Sequence, residues 1–209
     1  MKYDSYIFDL DGTLWNAVPA IADSWNPVLS NTPFIHTLPS LSDYEGVMGL
    51  EPEPLMKKLF PDLSWEVAKP LWEKACLAEL EYLNQHGAIL YPGLEETLIE
   101  LSAHAKLIIV SNCNDGYIES FLHAHHMEKY FVDIECAGRT GLSKGENIKL
   151  VVTRNHLKNP VYVGDTIWDY ESSTAAGVPF IHAAYGFGEV PGVPAIANPL
   201  DLLNQTLNK

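Results

Sequence analysis

From Tyr91 to His182, short apolar runs alternate with helix-length amphipathic stretches, and no other feature of the chain restricts its fold as strongly. The pattern predicts a helix over 94–103, a strand over 106–110, a helix after Asn114-Asp115 and a short strand over 131–135. It continues with a helix over 145–156, a strand over 160–163, a helix over 169–176 and a strand over 178–182. Strands and helices that trade places in this way are joined by right-handed βαβ crossovers into a parallel sheet. The apolar run Tyr6-Ile7-Phe8 supplies the opening strand that such a sheet needs.

Residues 15–88 read differently. Val18, Ile21, Trp25 and Leu29 have helical spacing, Pro33 and Pro39 then break the chain, and a second helical stretch covers 55–60. A third helix starts after Ser64, read as its N-cap, and runs to about residue 85, with Pro70 in its first turns or kinking it. No strand is predicted in this block. The fold class expected is therefore α/β, with a parallel sheet built from residues 1–14 and 89–209 and a helical insertion at 15–88 lying over the C-terminal edge of the sheet. The Pro- and Gly-rich tail over 189–199 leads into a short closing helix predicted at 200–207.

Charge narrows the function. Thirteen basic against twenty-seven acidic residues give a net charge of −14, which repels a nucleic-acid backbone. The three cysteines, Cys76, Cys113 and Cys136, suggest neither a disulfide framework nor a zinc site, and fit a reducing compartment. Asp4, Asp9 and Asp11 interrupt any secretory signal, and no apolar run reaches membrane-spanning length. The expectation is a cytoplasmic protein with no nucleic-acid or membrane partner.

The chemistry-bearing residues sit where strands end. Asp9 and Asp11 leave the first strand one residue apart, followed at once by Gly12, at the edge where open α/β sheets place their ligands. Two carboxylates this close repel unless a cation or a proton lies between them. Asp-x-Asp-Gly taken alone also reads as an acidic turn. The strand over 106–110 ends in Ser111-Asn112, whose hydroxyl and backbone N–H groups suit a phosphate oxygen. Gly164-Asp165 through Asp169 brings two more carboxylates from another strand end, and magnesium, a hard cation, takes oxygen ligands of this kind. A cation at the start of the helix near 145 would neutralise phosphate charge; the order of the motifs favours Lys144, with Lys149 as competitor.

Asp9-Leu10-Asp11-Gly12-Thr13-Leu14, Ser111-Asn112, Lys144 and Gly164-Asp165 through Asp169 resemble, in order and spacing, the four motifs of the haloacid dehalogenase-like hydrolase superfamily. The position of the insertion and the run from Ala176-Gly177-Val178-Pro179 to Tyr185-Gly186 look like its helical-cap branch, which holds phosphoglycolate phosphatases and β-phosphoglucomutases. The resemblance implies a Rossmann-like core with an inserted α-helical cap domain and a Mg²⁺ cofactor. It implies Asp9 as nucleophile, forming an aspartyl-phosphate, and Asp11 as the group that protonates the leaving group and then activates water. Thr13 would position Asp11 and lie in the phosphate site; Ser111, Asn112 and Lys144 would hold the phosphate. Asp9, Asp165, Asp169 and the backbone carbonyl of Asp11 would hold the metal. Two departures stand out: the prolines that often follow the motif lysine are absent, and Asn16 stands where an aspartate is frequent.

A dehalogenase needs neither Asp11 nor the metal set, which leaves a phosphatase or a mutase. A mutase must hold a second phosphate, yet 15–88 contains no arginine, only Lys57, Lys58, Lys69 and Lys74. The expected activity is hydrolysis of a small phosphorylated metabolite, phosphoglycolate-like or a sugar phosphate, by a monomer or homodimer. A phosphomutase is the alternative and a non-catalytic binding module a more distant one. His123, His125 and His126 have no acidic or cysteine partner at metal-ligand spacing and read as ordinary helix residues.

Overall fold

The computed structural model describes residues 3–205. Its strands are β1 (Ser5–Phe8), β2 (Trp15–Asn16), β3 (Ile89–Leu90), β4 (Lys106–Ser111), β5 (Phe131–Cys136), β6 (Pro160–Gly164), β7 (Phe180–Ala183) and β8 (Ala195–Ile196). The helices are α1 (Val18–Ser30), α2 (Leu41–Glu45), α3 (Pro52–Leu59), α4 (Trp65–His86), α5 (Leu94–Ser102), α6 (Tyr117–His125), α7 (Ala137–Thr140), α8 (Lys144–Arg154), α9 (Ile167–Ala176) and α10 (Asp201–Gln205). Six parallel strands form one sheet in the order β5-β4-β1-β6-β7-β8, as expected of a Rossmann-like α/β core with an inserted helical cap.

Successive residues of a strand face opposite sides of a sheet. Tyr6 and Phe8 of β1 accordingly pack into one apolar cluster with Leu107, Ile109, Val161 and Val163. Ile7 lies in a second cluster on the other face, with Ile108, Val110, Tyr162, Ile148 and Val151. Both faces are covered, which explains why β1, β4 and β6 read as unbroken apolar runs. From β1 the chain moves outward through β4 to β5 on one side and then crosses back to β6 on the other, so the strand order reverses beside β1, and the ends of β1, β4 and β6 frame the crevice there.

The insertion lies between β1 and β4, with α4 packed against α1, α3 and the core helix α6. Its buried stripe in α4 runs Ala68, Leu71, Ala75, Glu79, Leu83 at helical spacing. Pro70 stands inside α4 at its sixth residue, where its ring leaves the carbonyl four residues earlier without the usual donor.

Four local features differ from the sequence-based expectation. Residues 15–88 do contain a strand: β2 pairs antiparallel with β3, Trp15 opposite Leu90 and Asn16 opposite Ile89, joining the two chain passages between core and insertion. The proline-broken stretch holds α2, made possible by a capping box in which Ser40 and Asp43 satisfy each other's backbone N–H. The Pro- and Gly-rich tail contributes β8, which extends the sheet beyond β7. β7 starts at Phe180 because the Val178 N–H still closes α9 on Ser173 after the left-handed Gly177. The predicted closing helix appears as α10; residues 206 and 207 of that expectation lie outside the described residues.

Candidate active site

Asp9 directly follows β1, and its N–H continues the ladder by donating to Val163 O at 2.9 Å. Ser111 ends β4 and Asp165 follows Gly164 at the end of β6. Register places Phe8 opposite both Ile109 and Val163, so the three strand ends finish almost level and their side chains meet. Tight backbone approach makes this possible. Gly12 has φ +78°, and a Cβ there would run into the Asp165 carboxylate.

Lys144 is the hub of the charges. Ser143 caps α8 through a capping box with Glu146, and the following lysine turns inward. Its Nζ lies 2.8 Å from Asp9 Oδ1 and 2.7 Å from Asp169 Oδ1, with all three side chains buried. Lys149 is exposed on the same helix. Burial opposes the Lys144 charge, but the carboxylates of Asp169 and Asp9 outweigh it and hold the ammonium well above its ordinary range. Burial and the Asp169 charge push the Asp9 carboxyl up, and Lys144 draws it back.

Asp169 is tied on both oxygens. Oδ1 accepts from Lys144, and Oδ2 accepts from the Thr166 hydroxyl at 2.7 Å and from its N–H at 3.0 Å. It therefore combines the capping of α9 with the orientation of Lys144. Asp165 differs: Oδ2 accepts from the Phe187 N–H at 2.7 Å, while Oδ1 is buried without a hydrogen-bond partner. Burial, then the charges of Asp169 and Asp9, push its carboxyl well upward. Asp9, Asp165 and Asp169 each offer an oxygen within 4.8 Å of the others, a donor set that a hard divalent cation would satisfy. An orphaned buried carboxylate oxygen at such a point is what metal coordination would explain.

Asp11 is held apart from this cluster. Its Oδ1 accepts from Trp15 Nε1 at 2.8 Å and from the Tyr117 hydroxyl at 3.0 Å. Burial raises its carboxyl to about 6, against the pull of the Tyr117 and Trp15 hydrogen bonds. The expectation that Thr13 positions Asp11 is corrected: the Thr13 hydroxyl is buried with no partner, and the two aromatic donors do the holding. Ser111 is buried and Asn112 half-buried, both facing the same cavity as Asp9, Asp11 and Lys144.

That cavity, about 130 Å³, runs from the strand ends up into the insertion. Trp25, Tyr44, Val47, Met48 and Trp72 give it an apolar wall, and Glu79 is the acidic group in that wall. Glu79 is 7% exposed, and its Oε2 accepts from Trp25 Nε1 at 2.8 Å. Burial raises its carboxyl to about 8. None of Lys57, Lys58, Lys69 and Lys74 lines the cavity: Lys57 and Lys58 bond the carbonyls of Pro61 and Gly46, and Lys69 pairs with Glu73 on the surface.

Sequence reasoning missed Trp15, Tyr117 and Glu79. Trp15 and Tyr117 carry no local signal, since one is an aromatic residue after a turn and the other arrives from 106 positions away. Glu79 did carry one, an acid on the apolar stripe of a helix. Among the described residues no helix is long and apolar enough to cross a membrane.

The profile of haloacid dehalogenase-like hydrolases matches residues 6–183. The chain is 25% identical over 202 residues to a phosphoglycolate phosphatase of Agrobacterium fabrum, covering 90% of this chain and 83% of that one. It is 26% identical over 195 residues to a phosphoglycolate phosphatase of Caulobacter vibrioides, covering 88% and 80%. A haloacid dehalogenase-like family hydrolase of Streptococcus pneumoniae has the same fold, with a TM-score of 0.85 at 20% identity over 98% of this chain and 99% of the other. With a match that spans both halves of the core and the whole insertion, the chain belongs to the haloacid dehalogenase-like hydrolase family.

Proposed function

We propose that this hydrolase is a Mg²⁺-dependent phosphatase for a small organic phosphate, working through an aspartyl-phosphate on Asp9. The observation that carries the reading is the meeting of Asp9, Asp11 and Lys144 in one cavity with Ser111 and Asn112. The phosphoglycolate phosphatases among its relatives support the reaction class. The absence of cap lysines from the cavity wall favours a phosphatase over a mutase.

Lys144 takes Oδ1 of Asp9, which leaves Oδ2 to attack phosphorus. The ester oxygen departs with a proton from Asp11, whose other oxygen is fixed by Trp15 and Tyr117. Asp11 then takes a proton from water as that water attacks the aspartyl-phosphate, regenerating Asp9 and releasing inorganic phosphate. The Thr13 and Ser111 hydroxyls, the Asn112 amide and the Lys144 ammonium hold the phosphoryl oxygens. Asp9, Asp165 and the Asp11 carbonyl would hold Mg²⁺ directly, and Asp169, whose oxygens already have donors, through water. The ion, when bound, supplies charge neutralisation for the phosphoryl group. Residues 15–88 act as a cap that closes over the site on a hinge at 14–16 and 90–93, the region where β2 and β3 pair.

The test is phosphate release from p-nitrophenyl phosphate and a panel of small phosphate esters, with and without Mg²⁺, for wild type and Asp9→Asn. Turnover that requires Mg²⁺ and disappears in a folded Asp9→Asn protein is expected. Turnover that survives the substitution would overturn the assignment of the nucleophile.

A further inference from the structure

We infer that the cap pocket selects a phosphate ester whose leaving group carries a positive charge, the phosphomonoester of a small amino alcohol, with Glu79 as the residue that recognises the amine. The inference rests on the phosphatase reading and deepens it. The reaction is plain hydrolysis: one water is consumed, and the free amino alcohol and inorganic phosphate are released.

The geometry fixes where the leaving group goes. Asp9 and Asp11 lie at the floor of the cavity and Glu79 in its cap wall, so an ester seated on the floor points its alcohol at Glu79. The cavity, about 130 Å³, is close in size to those that hold one benzene ring, on the order of 150 Å³. The phosphoryl group and a leaving group of a few heavy atoms together fill it.

The charges decide which leaving group. Among the described residues lining the cavity, Lys144 is the cation, and its ammonium is already bonded to Asp9 and Asp169 at the floor. A carboxylate in the leaving group, such as that of phosphoglycolate, would meet Glu79 and no unpaired cation. A charge taken out of water with no partner to compensate it is an effective way to exclude a substrate. An ammonium would find the opposite: a buried carboxyl held by Trp25, with the rings of Trp25, Tyr44, Trp72 and Tyr117 around the same cavity. Aromatic faces and a carboxyl away from water are the surroundings in which organic cations bind well. Burial keeps the proton on the empty Glu79 to about pH 8, so the pocket avoids an isolated charge until a cation arrives to compensate it.

The test compares phosphoethanolamine with its uncharged isostere n-propyl phosphate and with phosphoglycolate, in Mg²⁺, by steady-state phosphate release, with p-nitrophenyl phosphate as the general substrate. Wild type is expected to prefer phosphoethanolamine over n-propyl phosphate by about tenfold or more in kcat/KM, the size of a desolvated cation–π contact, and to use phosphoglycolate least. In Glu79→Gln, with folding checked by circular dichroism, the ratio between the amine and propyl esters falls towards one. The inference is overturned if n-propyl phosphate or phosphoglycolate matches phosphoethanolamine in the wild type, or if the ratio persists in a folded Glu79→Gln. Failure to hydrolyse any ester, p-nitrophenyl phosphate included, overturns the phosphatase reading itself. Hydrolysis of p-nitrophenyl phosphate without amine preference overturns only the pocket assignment.

Discussion

Glu79→Gln should make the protein more stable, and increasingly so as pH rises. The side chain is 7% exposed, and burial, helped by the Asp11 charge and opposed by the Trp25 and Tyr117 hydrogen bonds, lifts its carboxyl from 4.5 to about 8. A carboxyl whose pKa is higher in the folded than in the unfolded chain binds more protons when folded, so stability falls with pH between the two values. Multiplying that interval of roughly 3.5 by 1.36 kcal/mol per pH unit gives an upper bound of about 5 kcal/mol. Relaxation and water entry around an ionised carboxylate reduce the bound, and about 2–3 kcal/mol is expected. Glutamine keeps an acceptor for Trp25 at nearly the same volume without titrating, so the variant should differ little from wild type in acid. Urea denaturation of both proteins at about pH 5 and about pH 9, in the same salt and Mg²⁺, reads the effect of Glu79 together with the response of the groups coupled to it, Asp11 above all, because titrating groups that do not feel Glu79 cancel in the difference. A stability gap between variant and wild type that is equal at the two pH values would refute the reasoning, since it would mean that Glu79 ionises as freely in the folded chain as in the unfolded one.

Two further outcomes follow from the geometry around Asp11 and Asp165. Tyr117→Phe removes the 3.0 Å donor to Asp11 Oδ1 and leaves that of Trp15, so kcat for p-nitrophenyl phosphate should fall roughly 10- to 100-fold, the worth of one hydrogen bond to a charged group; an unchanged kcat would show that Trp15 alone holds Asp11. Gly12→Ala places a methyl against the Asp165 carboxylate at a residue with φ +78°, costing on the order of 1–2 kcal/mol for the backbone alone; Mg²⁺-dependent phosphate release should be lost and the melting temperature lowered, and wild-type activity in this variant would refute the close approach.

What could be read from the sequence is what local chemistry dictates. The runs at 106–110 and 160–163 announce strands because both faces of β4 and β6 are covered, and Asp9, Ser111 and Asp165 announce a site because each stands where such a strand ends. In the sequence, motif order separates Lys144 from Lys149, and the Ser143 capping box that turns Lys144 inward is a second local signal for it. β2, β3 and β8 are each two residues long, too short for any alternation to register, and they form because tertiary neighbours bring their edges together. Tyr117 reaches Asp11 across the fold, and no pattern in either segment predicts that contact. Glu79 belongs to neither group. Its place on the stripe Ala68-Leu71-Ala75-Glu79-Leu83 breaks the binary pattern of α4, and the spacing of the apolar residues alone is enough to reveal that break. An acid kept on a buried stripe costs stability that an amide in its place would recover while still accepting from Trp25, so its presence in the wall of the cavity is explained by something the pocket must bind. The same residue that weakens the folded chain at high pH is therefore the one whose removal should loosen the enzyme's choice of substrate.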